Sequence, residues 1–141
     1  MKIINLLLIL LFVAAQAIGK VSLPHFFGNG MVLQRNKPIK IWGWANPNEK
    51  VSITFSGKTQ KIKADKTGNW SVIFTPLPAN STPQNLIIQG ENKIVIENIL
   101  IGDVWICGGQ SNMEWTIASS DSAEKEIRNA KYPNIRIFTV E

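Results

Sequence analysis

The sequence is poor in the residues that build disulfide frameworks, metal centres and imidazole chemistry. Its 141 residues include one cysteine and one histidine. A lone cysteine, Cys107, closes no internal disulfide, and no zinc-type spacing of cysteine and histidine occurs. Internal repeats and low-complexity tracts are missing too. No apolar run reaches the length of a membrane-spanning helix; the run at residues 3–15 is too short. Lysine and arginine outnumber aspartate and glutamate by 15 to 10, yet they are scattered through strands and turns. That distribution is a solvated surface rather than a nucleic-acid footprint, so no nucleic-acid partner is expected.

The chain opens with Met1-Lys2, the apolar run and then Ala15-Gln16-Ala17, an A-x-A cleavage site. Residues 1–17 therefore read as a secretory signal peptide, and a secreted or periplasmic location is expected. No cysteine follows directly, which argues against a lipoprotein, and no membrane anchor is expected after cleavage. Loss of the leader removes Lys2, lowers the formal charge from +5 to +4, and leaves 124 of the 141 residues. That is enough for one domain and marginal for two.

Residues 18–35 form a lead-in with scattered apolar positions, and His25 lies in it beside Pro24. Triads assemble in any chain order, but this position offers only a weak candidate for a catalytic partner. From Pro38 the pattern becomes short alternating strands with turn signals. Ile39 and Ile41 point one way and Trp42 and Trp44 the other. Val51, Ile53 and Phe55 alternate with Ser52 and Thr54, and Ser56-Gly57 joins them to residues 58–64 as a hairpin. Asp65-Lys66-Thr67-Gly68 turns the chain into Trp70, Val72 and Phe74. Residues 76–83 read as a loop, after which Leu86 with Ile88, then Ile94 with Ile96, resume the alternation. Strands at this spacing predict an immunoglobulin-like β-sandwich over residues 18–100. Trp42 and Trp44 are either a sugar-stacking platform or, more in keeping with their large area, a packing surface.

At Gly102 the pattern changes. Val104-Trp105-Ile106-Cys107 is a continuous apolar run, as in a parallel strand covered on both faces, with Cys107 a small core residue. Gly108 and Gly109 let the chain turn, and Ser111 follows just past the strand's carboxyl end, where open α/β sheets place ligands. Two readings of Ser111 stand. It is a nucleophile, or it opens a capping box with Glu114 reaching back. The lipase-type elbow fails, because Met113 stands where its second glycine is needed. Asp103 reads as a cap or turn residue. Asp121-Ser122-Ala123-Glu124 starts a helix carrying Ala123, Ile127 and Ala130; Tyr132-Pro133-Asn134 ends it, and Ile135, Ile137 and Val140 predict a further strand. A strand, a helix and a strand make one unit of a parallel sheet and not a domain. The chain is accordingly expected to be truncated within its second domain, residues 101–141.

Gly109-Gln110-Ser111-Asn112-Met113-Glu114-Trp115 resembles the first sequence block of the sialate O-acetylesterase family, within the SGNH hydrolases. The likeness extends upstream to Leu23-Pro24 through Phe27, to Gly30-Met31-Val32-Leu33-Gln34-Arg35, to Ile41-Trp42-Gly43-Trp44-Ala45 and to Gly102-Asp103-Val104-Trp105. The resemblance implies hydrolysis of O-acetyl esters on sugars, sialic acid among them, through an acyl-enzyme on Ser111. It gives the Ser111 backbone N–H an oxyanion-hole role. Beside it, Gln110 and Asn112 either add hydrogen bonds or brace the turn, of which bracing is the simpler reading. No cofactor and no metal are implied. The family's remaining oxyanion donors and its Asp/His region match nothing here, so the 141-residue chain alone is expected to be inactive. The other reading is a non-catalytic β-sandwich module that binds glycan or protein and ends in a vestigial esterase start. Oligomeric state is not legible.

Overall fold

The computed structural model describes residues 20–140; the expected signal peptide lies outside them. Among the described residues seven strands occur in chain order: β1 (Val32–Gln34), β2 (Ile39–Trp44), β3 (Lys50–Phe55), β4 (Lys58–Lys63), β5 (Asn69–Phe74), β6 (Asn80–Gln89) and β7 (Lys93–Gly102). Five of them form one sheet in the order β1-β7-β6-β3-β4, and β2 pairs with β5 in a second. All pairings are antiparallel except β1 with β7, which run parallel with Val32 opposite Leu100 and Gln34 opposite Gly102.

The alternation predicted from the sequence is the alternation observed, and the mostly β reading holds. Ile39 and Ile41 on β2, and Trp70, Val72 and Phe74 on β5, are buried. They share one core with Val51, Ile53 and Phe55 on β3, Leu86 and Ile88 on β6, and Ile96, Ile99 and Ile101 on β7. A period of two places every second side chain on that inner face, and burial of each large aliphatic there is worth about 1.5–3 kcal/mol.

Turn chemistry sets the registers. Ser56 and Gly57 both take positive φ, giving the two-residue hairpin in which Phe55 faces Lys58. Asp65 holds the next turn, its Oδ1 accepting from the backbone N–H of Thr67 and of Asn69 at 2.8 and 2.9 Å. These bonds, with that from the Thr67 hydroxyl the largest influence, hold the Asp65 carboxyl below the usual carboxylate range. Gly43 is needed where the lead-in crosses β2. A Cβ there would collide with the Ser22 carbonyl, which accepts from Trp44 N–H while Ser22 N–H donates back.

Two expectations are corrected in detail. The loop expected over residues 76–83 gives way at Asn80, where β6 begins. The pairing with β7 is irregular between Asn80 and Gln84, so Pro83 sits where the ladder requires no donor. The β-α-β unit expected over residues 101–141 is not formed among the described residues. Residues 104–107 and 135–140 are not strands. Cys107 is exposed, not a core residue. The reason is physical: an apolar strand needs paired strands beside it and a cover on each face, and no described strand pairs with these residues. The expected helix does form, as α1 (Ala123–Asn129).

Candidate active site

The path to Ser111 starts at the parallel pair. Arg35 N–H donates to the Gly102 carbonyl at 2.8 Å, extending the β1–β7 ladder by one bond. Arg35 Nε then donates to Asp103 Oδ1 at 2.9 Å, and Val104 N–H donates to Gln34 Oε1 at 2.8 Å. Asp103 is thus more than a turn residue. Its hydrogen bond from Arg35 holds the carboxyl below the usual carboxylate range, and the same bond raises the Arg35 guanidinium further above its ordinary value. Two sequence strings far apart in the chain, Gly30 to Arg35 and Gly102 to Trp105, are therefore one structural unit.

Beyond Val104 the chain leaves the sheet. Ser111 opens a single 3₁₀ turn, Ser111–Glu114, preceded by extended Gln110. Gln110 contributes its carbonyl, which accepts from Met113 N–H at 2.8 Å, and Asn112 contributes its carbonyl to Trp115 N–H at 3.4 Å. Both residues brace the turn through backbone groups. A Cβ on Gly109 would lie 2.8 Å from Met113 Cγ, an exposed side chain that would have to shift; a Cβ on Gly108 would meet nothing. The capping box is not made. No side chain caps this turn, and the Glu114 carboxylate has no hydrogen-bond partner among the described residues. Ser111 is exposed, and its hydroxyl and backbone N–H have no described partner. α1 has Ser122 at its cap position, in the left-handed region and without a side-chain cap bond.

The structure does not bring His25 into hydrogen-bonding reach of Ser111. His25 lines a shallow groove with Phe26, Phe138, Thr139 and Val140. Trp42 and Trp44 lie on the outer face of β2, their rings edge to face at 5.4 Å and 80°. Phe26 and Phe27 join them, also tilted, with Phe26 6.0 Å from Trp42. Rings at such angles offer no common flat surface for a row of sugars, which favours the packing reading of the pair. Among the described residues no cluster of three His, Cys, Asp or Glu side chains could hold a metal ion, and no helix is long and apolar enough to cross a membrane.

Sequence reasoning missed Arg136, whose guanidinium reaches back to β7, and the Arg35–Asp103 pair. The pair carried a signal, opposite charges in two strings of one family; Arg136 carried none.

This β framework delivering an exposed serine turn has close counterparts among carbohydrate esterases. The crystal structure of a carbohydrate acetylesterase from Xanthomonas citri superposes with a TM-score of 0.76 at 37% identity, covering 80% of this chain and 26% of that one. The chain is 31% identical over 127 residues to the mouse and human proteins named sialate O-acetylesterase. It thereby belongs to the sialate O-acetylesterase family, over part of that family's length. The matched region covers 82% of this chain and 24% of each of those relatives. No protein-family model matches the chain.

Proposed function

We propose that the protein is a carbohydrate O-acetylesterase with Ser111 as nucleophile, acting on O-acetylated sugars such as sialic acids. The observation that supports this best is the placement of Ser111. Family-specific strings converge at the β1–β7 exit, and from there the chain presents a serine whose hydroxyl and N–H have no partner among the described residues. In the reaction, Ser111 Oγ attacks the acetyl carbonyl carbon and gives up its proton to a base. The Ser111 N–H donates to the resulting oxyanion, and Gln110 and Asn112 keep the turn in shape for it. Collapse breaks the bond to the sugar oxygen, which takes the proton back from the base and leaves as a neutral alcohol; acetyl-Ser111 remains, and water hydrolyses it to acetate and free serine. No described imidazole or carboxylate bonds the Ser111 hydroxyl, so the base is drawn from elsewhere in the protein and the 141-residue chain alone is inactive.

The domain reading accompanies this proposal. Residues 18–100 are an immunoglobulin-like sandwich, supported by the single core shared by both sheets. Residues 101–141 begin an SGNH-type hydrolase domain, in which residues 104–107 become a covered strand. Residues 1–17 direct the protein to the periplasm or outside the cell. The test is acetate release from O-acetylated sialic acid by the whole protein purified from its source. Ser111→Ala is expected to lower kcat by at least about a thousandfold. A Ser111→Ala protein that keeps its activity rules Ser111 out.

A further inference from the structure

Between residues 103 and 140 every side chain is exposed except Ala123 and Arg136. Arg136 stands apart because its guanidinium has left its own segment. Nη1 donates to the Gly30 carbonyl at 2.8 Å and to the Asn98 carbonyl, and Nη2 donates to Asn98 Oδ1 at 2.9 Å. The socket is built by backbone geometry. Asn98 takes a left-handed φ of 60° and Gly30 one of 78°, which turn the acceptors outward. Asn29 fixes the same corner, its side chain accepting from Glu97 N–H at 2.8 Å while Gly30 N–H donates to the Glu97 carbonyl. Three acceptors in one place suit the planar, multiply donating fork of arginine and not the single point of a lysine.

The location gives this socket its meaning. Gly30 and Asn98 stand at the start of the β1–β7 pair, and Arg35 and Asp103 stand at its end. At about 3.3 Å per residue the two places are roughly 16 Å apart. The chain leaves the sheet at Asp103, passes through Ser111 and α1, and returns to the same pair of strands at Arg136. We propose that Arg136, seated in the Gly30/Asn98 socket, is a positioning residue that pins the far end of the Ser111-bearing segment, with Arg35–Asp103 pinning the near end. The β1–β7 pair is then a mounting rail for the nucleophile and not only part of a core. The pin is independent of any activity; its role in positioning the nucleophile rests on the esterase reading.

The test has a structural arm and a kinetic arm. In the 141-residue chain, backbone heteronuclear NOE values at Ile135 and Ile137 are expected near those of Ile53 and Ile88. Arg136→Ala should drop the first two to the range of a flexible tail and leave Ile53 and Ile88 unchanged. Arg136→Lys should recover little of the loss. Asn98→Gly, which keeps the positive φ and removes the carboxamide, should lower the values in part. Wild-type Ile137 as mobile as a tail, or an Arg136→Ala chain as rigid as wild type, overturns the pin. In the whole protein, Arg136→Ala should lower kcat roughly tenfold or more with KM nearly unchanged, as misplacement of a reacting group does. If Ser111→Ala abolishes turnover and Arg136→Ala leaves kcat alone, the positioning role fails and the esterase reading stands. If Ser111→Ala leaves turnover intact, the esterase reading fails, and the NOE arm still decides the pin.

Discussion

Ile99, Leu100 and Ile101 are 0%, 4% and 3% exposed, while Val104, Trp105 and Ile106, only a few residues on, are 49%, 83% and 99% exposed. Both runs are apolar and both lack charge. The difference lies in their neighbours. The first run is paired on one side with β6 and on the other with β1, and its inner face meets β2 and β5 across the core. The second has no paired strand among the described residues. Apolar sequence specifies a wish to be covered; the cover comes from other elements.

The largest effect that should sharpen this contrast is a cavity on the covered side. Ile53→Ala is expected to cost about 2–5 kcal/mol of unfolding free energy, while Ile106→Ala stays within about 0.5 kcal/mol, both read from urea midpoints of the 141-residue chain. Comparable costs at the two positions would break the comparison. Next in size is Gly43→Ala. Its new methyl group collides with the Ser22 carbonyl and should cost about 1–3 kcal/mol by detaching the lead-in, with a change in tryptophan fluorescence at Trp44 or Trp70 as the local signature. Cys107 gives a third probe. Under native conditions it should react with a thiol reagent as fast as in urea, and protection by an order of magnitude or more would show residues 104–107 to be covered after all.

The smallest effect concerns pH. Asp65 and Asp103 both have carboxyls held below the ordinary range, Asp65 chiefly by Thr67 and Asp103 chiefly by Arg35. A lowered folded value means that the carboxylate stabilises the fold fully above the unfolded pKa, and that this stability is lost as pH falls through the folded pKa. The stability gap between wild type and Asp65→Asn should be constant from pH 7 to 5 and narrow below about pH 4. A gap that widens on acidification has the wrong sign.

The sheet-forming half was readable because its signals are local. Alternation at Val51, Ile53 and Phe55 needs no knowledge of the partner strand to say which side is buried, and Ser56-Gly57 fixes its own hairpin. The short β1 was hidden in the lead-in because three residues carry too little period to detect, and its partner lies far along the chain. Around Ser111, the turn after the glycine pair and α1 followed from glycine and breaker positions, whereas the capping box is not formed. The strands on either side did not, since a continuous apolar run states no direction of its own. The Arg136 socket was invisible because its acceptors are mostly backbone carbonyls, which every sequence possesses.

One property of the five-stranded sheet bears on how the molecule behaves among its own copies. One of its edges is β4, whose sequence is Lys58-Thr59-Gln60-Lys61-Ile62-Lys63 and whose Gln60 Nε2 donates to the Ile73 carbonyl on β5 at 2.7 Å. Lys58, Lys61 and Lys63 are exposed on it. A second β4 brought alongside would place like charges directly opposite one another, so strand addition there is repelled before any backbone bond can form. The other edge, β1, is only three residues long. Lysine on one border and brevity on the other are obstacles to strand addition, and neutralising the three lysines is the change expected to remove the first of them.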